Sequence, residues 1–207
     1  MLANLFTSPL FFFYTVIALL LAITVHEFSH ALIADRLGDP TARLGGRLTL
    51  NPLAHLDPIG TIALLLIGFG WGKPVPFDPY NLSKPKRDGA LISLAGPVSN
   101  MVLAIFCSLI LHLLTWGTTA SLFAPLLETI IYFNIVLAVF NLLPIHPLDG
   151  FKIVSGILPA DKSRQWDELA SYGMFFLLIL LLPLQGRSMV SNILQPPIRF
   201  LLSILLP

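Results

Sequence analysis

The chain has 207 residues, of which 56% are apolar and only 11% are charged, against about 25% charged residues in an ordinary soluble domain. Its formal net charge is +1, so no basic field attracts nucleic acid. The single cysteine, Cys107, lies in an apolar run, which excludes a disulfide framework and a cysteine-based metal site. The composition therefore predicts a membrane-embedded protein that holds any metal with His, Asp or Glu.

Five apolar stretches approach the length of about 20 residues that a helix needs to cross a bilayer. They cover residues 9–34, 90–116, 122–143, 169–184 and 189–206, and the last contains Pro196 and Pro197. The first has no basic flank and no small-residue cleavage site, so we interpret it as structure rather than as a signal peptide. The pattern predicts an all-α polytopic membrane protein, a bundle of about five to six transmembrane helices forming a single membrane-embedded domain over 1–207.

A shorter apolar run over 59–71 has the length of a re-entrant or interfacial segment. If it does not cross the bilayer, ten of the twelve Lys and Arg residues share one face, which the positive-inside rule makes cytoplasmic. This distribution favours the re-entrant interpretation. Before that run, the alternating segment 47–50 follows two glycines and predicts a short β-strand.

Near the predicted cytoplasmic end of the first span stand His26, Glu27 and His30, in the order His-Glu-Phe-Ser-His. Residues four apart lie on one helix face, so both imidazoles can bind one Zn²⁺ ion, with Glu27 beside it as general base. Ionisable residues inside an apolar span are costly unless they are paired or bind a metal. The alternative is a trio of polar side chains packed between helices.

A catalytic zinc site has three protein ligands and one open position, so two histidines need a further partner. The best candidate is Asp149, which follows two helix-breaking prolines and precedes Gly150, where the chain can turn. If 59–71 is re-entrant, Asp149 returns to the face and depth of the histidines. The alternative is a turn former or a helix cap.

Three motifs in this order carry a resemblance to a known family. They are 26–30 in the first span, Gly-Pro-Val-Ser-Asn over 96–100 in the second, and 141–150 after the third. Together they resemble the site-2 protease family of intramembrane zinc metalloproteases. The stretches 46–61 and 70–76 are similar to its compact bacterial branch, which lacks PDZ and CBS domains. The resemblance covers residues 20 to about 155 and implies a catalytic core over about 9–155, followed by C-terminal helices over about 169–207.

The resemblance implies roles for individual residues. His26, His30 and Asp149 would be the ligands of one Zn²⁺ ion per chain, and Glu27 would be the catalytic acid and base. Asn100 and Asn141 match asparagines that hold the substrate backbone or the oxyanion. From the residues alone, either amide is equally suited to joining helices within the membrane.

Two further histidines have several interpretations. His146 stands where such sequences usually have proline, and it is either a partner of a metal ligand, a competing ligand or an exposed loop residue. His55 matches the bacterial branch and precedes the short run. It either approaches the site as a gating or supporting residue, or bonds to loop backbone.

The resemblance implies an intramembrane zinc endopeptidase that hydrolyses peptide bonds within or near transmembrane segments, as in regulated intramembrane proteolysis. It would lie in the cytoplasmic membrane, with the active site nearer the cytoplasmic face. Its expected partners are a transmembrane substrate and the lipid bilayer, with no nucleic acid and no soluble regulatory domain. The strand over 47–50 either offers an edge to unwound substrate or is an interfacial strand with no substrate role. The alternative functions are a membrane metal-binding or transport protein and a non-proteolytic adaptor that binds client helices.

Overall fold

The computed structural model describes residues 3–67, 70–115, 123–184 and 187–207. The helices are α1 Ala3–Thr7, α2 Pro9–Arg36, α3 Thr41–Leu44, α4 Pro58–Ile67, α5 Pro85–Thr115, α6 Ala124–Asn141, α7 Asp149–Ile157, α8 Ala160–Glu168, α9 Ala170–Leu181 and α10 Met189–Leu205. Single 3-10 turns cover Pro52–Ala54 and Pro79–Asn81. Two short strands, β1 Pro183–Leu184 and β2 Arg187–Ser188, pair antiparallel, with Pro183 opposite Ser188 and Leu184 opposite Arg187.

Within the described ranges, three helices are long and apolar enough to cross a membrane: α2, α5 and α6. The chain is therefore a helical membrane protein, and the bundle of about five to six transmembrane helices stays a prediction. Helix α9 has 12 residues and extends about 18 Å, against about 30 Å of hydrocarbon. Helix α10 has 17 residues, with Pro196 and Pro197 inside it. Trp116 and Leu122, where two predicted spans were expected to end and begin, lie outside the described residues.

The core lies where α2, α5, α6 and α10 meet. Its fully buried members include Ala18, Ala104, Leu111, Ile131 and Ile135. The alanines let neighbouring helices approach closely, as small residues do in membrane proteins. Helix α7 packs on α5, so the residues that follow α6 return to the bundle.

The segment containing α4 begins and ends at one place. Leu56 and Gly72 form an isolated antiparallel bridge, and the Lys73 N–H donates to the His55 carbonyl at 2.8 Å. Helix α4 itself has 10 residues, too few to cross a bilayer. This is the geometry that a re-entrant segment requires.

The β-strand predicted over 47–50 does not form, and the chain bends at Leu48 and Thr49. Gly46 has a φ of +67°, and the Arg47 N–H bonds back to the Ala42 carbonyl at 2.8 Å. The Thr49 carbonyl contacts the His55 ring at 2.8 Å. The alternating pattern of polar and apolar residues did not predict the structure correctly, because these backbone groups bond to nearby residues and not to a neighbouring strand.

Candidate metal centre

One face of α2 carries a buried stripe with a strict spacing of four residues. It runs through Ala18, Ala22, His26, His30 and Ala34, all of which are buried. Residues four apart stand one above another on a helix. The alanines bring α2 close to its neighbours, so the two imidazoles lie inside the bundle rather than on its lipid-facing surface.

The structure brings Asp149 to both histidines. Its Oδ2 lies 3.0 Å from His26 Nε2 and 3.3 Å from His30 Nε2. The two rings stand edge to face, with their centroids 4.6 Å apart. One ligand atom from each of the three residues lies within 4.8 Å of the others, and no other His, Cys, Asp or Glu group of three in the described residues meets this condition.

Helix α5 fixes the orientation of both rings. His30 Nδ1 lies 2.7 Å from the Ile92 carbonyl oxygen, which can only accept, so His30 donates there. His26 Nδ1 lies 2.7 Å from Asn100 Oδ1 and donates in the same way. Because each Nδ1 carries the proton, each Nε2 lone pair is left for a metal. Such partners orient the ligating histidines of metal sites.

Gly96 lies between those two supports and lets α5 approach the imidazoles. A Cβ there would fall 2.5 Å from His26 Cε1 and 2.6 Å from His30 Cε1. Ile92, Gly96 and Asn100 are four residues apart and therefore lie on one face of α5. This face presents the Ile92 carbonyl, the backbone of Gly96 without a side chain, and the Asn100 amide. The spacing of Gly96 and Asn100 was visible in the sequence, but the contact with both rings was not.

Asp149 is the first residue of α7, where the helix dipole favours a carboxylate. The turn before it is tight, because a Cβ at Gly150 would collide with the carbonyl oxygens of Leu142 and Leu143. Asp149 must be ionised to bind a metal, and its Oδ2 lies where an ion between the two Nε2 atoms would compensate the negative charge.

Glu27 faces an extended segment, Gly72 to Asp78, which we call the strap. The Val75 N–H donates to Glu27 Oε2 at 3.0 Å. Asp39, fully buried in the turn that follows α2, accepts from the Asp78 N–H at 2.7 Å. The strap is thus held across Glu27 by hydrogen bonds at its middle and at its end.

Asn100, which the resemblance implied for the substrate backbone or the oxyanion, contacts His26 and the neighbouring helices in this structure. It is fully buried, and its amide donates to the Ala22 carbonyl at 2.9 Å and to Asn134 Oδ1 at 2.8 Å. With both donors engaged and its oxygen on His26, Asn100 has nothing left to offer an oxyanion. Sequence reasoning missed Asn134, although a second amide seven residues before Asn141, inside an apolar helix, was a usable signal.

The other predicted site residues lie outside the cluster. Asn141 donates to the Leu137 carbonyl at 3.0 Å, at the C-terminal end of α6. The His55 ring is fully buried on loop backbone. His146 packs edge to face on Phe151, with their centroids 5.6 Å apart, and burial together with the charge of Lys152 lowers its pKa.

The donor set fits zinc. Two neutral imidazole nitrogens and one carboxylate oxygen form a combination found at catalytic zinc sites, where the fourth position stays open. The Nδ1 partners and the Gly96 clearance leave both Nε2 atoms facing the Asp149 carboxylate. These residues therefore match what the ion requires in ligand type, protonation and proximity.

Comparison with known proteins identifies the family. A model described as peptidase family M50 matches residues 117–181. YwhC of Bacillus subtilis, named "Putative zinc metalloprotease", is 42% identical over 173 residues, which cover 81% of this chain and 79% of YwhC. The chain belongs to peptidase family M50. This is the site-2 protease family, so the resemblance seen in the motifs is confirmed.

More distant relatives carry similar names. Rip2 of Mycolicibacterium smegmatis, also named "Putative zinc metalloprotease", is 32% identical over 168 residues, which cover 79% of this chain and 64% of Rip2. "Zinc metalloprotease MJ0392" of Methanocaldococcus jannaschii is 24% identical over 156 residues, covering 75% of this chain and 37% of that protein. No solved structure matches the chain. M50 membership and the apolar helices together support a membrane zinc protease.

Proposed function

We propose that this chain is an intramembrane zinc endopeptidase that hydrolyses peptide bonds within or near the transmembrane segments of membrane proteins. The observation that carries the proposal is the meeting of His26, His30 and Asp149 within 4.8 Å. Both histidines belong to a helix long enough to span the membrane. A hydrolytic centre at that position meets peptide bonds that soluble proteases do not reach.

In this mechanism His26, His30 and Asp149 would hold one Zn²⁺ ion per chain. When bound, it would supply polarisation of the scissile carbonyl and a lower pKa of the attacking water. Glu27 accepts a proton from that water as its oxygen attacks the carbonyl carbon. Glu27 then passes the proton to the amide nitrogen as the C–N bond breaks. Asn141 donates its amide to the oxyanion.

Substrate entry requires local unwinding, because a transmembrane helix hides its carbonyls in its own hydrogen bonds. We infer that the site opens toward the cytoplasmic face of the cytoplasmic membrane. With 59–71 re-entrant, ten of the twelve basic residues lie on that face. The domain then comprises a catalytic core over about 9–155, followed by the C-terminal helices.

The variant Glu27→Gln tests this function. We expect it to retain one zinc per chain and to lose cleavage of a fluorogenic transmembrane peptide in detergent by about 100-fold or more. The peptide contains a Gly-Asn pair because weak helix formers unwind readily. Glu128→Gln, which changes an exposed glutamate of α6, is the matched control and should cleave normally.

Full cleavage by the zinc-loaded Glu27→Gln protein would exclude the proposed mechanism. Zinc flux in proteoliposomes that fails in His26→Ala but survives in Glu27→Gln would favour a transporter instead. Measuring cleavage and flux on the same preparations separates these functions.

A further inference from the structure

Arg47 is a buried cation that the proposed mechanism does not use. It has a relative exposure of 6%, in the segment whose strand does not form. Its guanidinium donates to the Pro74 carbonyl at 3.1 Å and to the Lys73 carbonyl. A buried charge is costly unless hydrogen bonds or an opposite charge compensate it. Two carbonyls of the strap, which also contacts Glu27, compensate the two terminal nitrogens, while the Arg47 Nε has no hydrogen-bond partner among the described residues.

A single peptide group joins Arg47 to Glu27. The carbonyl of Pro74 and the N–H of Val75 belong to the same planar unit and point in opposite directions. The guanidinium bonds the oxygen end, and Glu27 Oε2 accepts from the nitrogen end at 3.0 Å. Pro74 and Pro76 have no N–H, so Val75 offers the only backbone donor of these three residues.

We propose that Arg47 is a positioning residue for Glu27 and acts through the Pro74–Val75 peptide. The guanidinium fixes the peptide plane and polarises its N–H, which holds one oxygen of the Glu27 carboxylate. This inference rests on the proposed role of Glu27 as proton acceptor. It assigns a function to one residue of the stretch 46–61 and to one peptide group of the stretch 70–76, neither of which supplies a proposed zinc ligand.

The interposed peptide serves a base better than a direct ion pair would. A guanidinium in direct contact with a carboxylate commonly binds both of its oxygens, which would stabilise the ionised form and make Glu27 a weaker proton acceptor. One N–H occupies only Oε2. The bonds at the two ends of the peptide strengthen each other, because hydrogen bonds in a chain polarise one another.

The variant Val75→Pro tests the link by removing one N–H. Val75 precedes Pro76, so its backbone is already restricted to extended conformations that proline tolerates. We expect kcat to fall about 10- to 100-fold, with KM and zinc affinity within about twofold of the unmodified chain. Val75→Ala keeps the N–H and should retain full kcat.

The variant Arg47→Gln tests the same link without introducing a proline. It should lower kcat about as much as Val75→Pro does and leave the zinc affinity unchanged. The double variant Arg47→Gln, Val75→Pro should be no slower than Val75→Pro alone, because residues that act through one group are not additive. Additive losses would overturn the link between Arg47 and the peptide.

A third measurement needs no catalysis. In the metal-free full chain labelled with ¹⁵N-valine, the Val75 amide resonance is identified by its absence in Val75→Ala. Its proton should move upfield in both Glu27→Ala and Arg47→Gln. An unchanged Val75 amide proton shift in Arg47→Gln would overturn the positioning role alone. Full kcat in Val75→Pro while Glu27→Gln is inactive would do the same. Cleavage by Glu27→Gln would overturn the proposed function as well.

Discussion

Individual residues of α5 determine how the two imidazoles are presented. The Ile92 carbonyl and the Asn100 amide each hold one Nδ1, and Gly96 contributes only space. A metal site of this kind depends on the orientation of its ligands as much as on their identity. Changes on α5 are therefore expected to alter zinc binding without touching a ligand.

Gly96→Ala should disturb both histidines at once. The new Cβ would fall within 2.6 Å of ring atoms of His26 and His30. We expect about 1–3 kcal/mol of destabilisation and about 10- to 100-fold weaker zinc binding, measured by thermal unfolding and chelator competition. Gly89→Ala on the same helix is the control, since its Cβ would meet Phe77 at an ordinary 3.8 Å. Equal zinc affinity in both variants would contradict the close approach.

Asn100 and Asn141 should respond differently to substitution. Asn100→Leu leaves the His26 Nδ1–H without its partner, and we expect about 10- to 100-fold weaker zinc binding. Asn141→Ala should bind zinc normally and lose kcat, because we propose that this amide acts on the oxyanion. Zinc titration together with kcat measurement separates the two. Normal zinc affinity in Asn100→Leu would argue against its supporting role.

At the scale of elements, helix periodicity made the metal cluster predictable from sequence. The spacing of His26 and His30 fixes a shared face, and the re-entrant interpretation of 59–71 predicted that Asp149 returns to it. Asn134 was missed because an amide in an apolar helix has no single interpretation. The prediction of a strand at 47–50 was wrong. Alternating polar and apolar residues are typical of a strand, but a strand also needs a neighbour to pair with, and here the backbone groups bond to nearby residues instead.

Cysteine labelling should reveal the path of α4. In a Cys107→Ser background, Leu53→Cys before α4 and Lys73→Cys after it should react with a membrane-impermeant maleimide from the same side of a vesicle. The bridge between Leu56 and Gly72 requires this result. Phe123→Cys, beyond the spanning helix α5, is the control and should react from the opposite side. Labelling of Leu53→Cys and Lys73→Cys from opposite sides would show that the segment crosses.

At the scale of the whole molecule, the proposed zinc ion joins distant parts of the chain. Its ligands come from α2 and α7, which α5 and α6 separate in sequence. A ligand that binds only the folded state stabilises it by mass action. The composition predicted a membrane protein correctly. The number of spanning helices stays a prediction, because an apolar composition indicates a lipid environment but not where each helix ends.

Zinc should therefore stabilise the fold measurably. At a free concentration of 100 times Kd, we expect about 2.7 kcal/mol of added unfolding free energy, measured by thermal unfolding in detergent with and without a chelator. His26→Ala should show no response to zinc. His146→Ala removes a histidine outside the cluster and should respond normally. Loss of the zinc response in His146→Ala would contradict the assigned ligand set.

The bridge between Leu56 and Gly72 closes residues 56–72, which contain α4, into a loop that we call the branch. The strap begins at Gly72, so its position over Glu27 is fixed at the base of the branch and does not depend on the branch's length. Because the two ends of the α4 segment are bonded to each other here, we expect a tilt of α4 in a thinner or thicker bilayer to leave the Val75 N–H and the geometry around Glu27 unchanged.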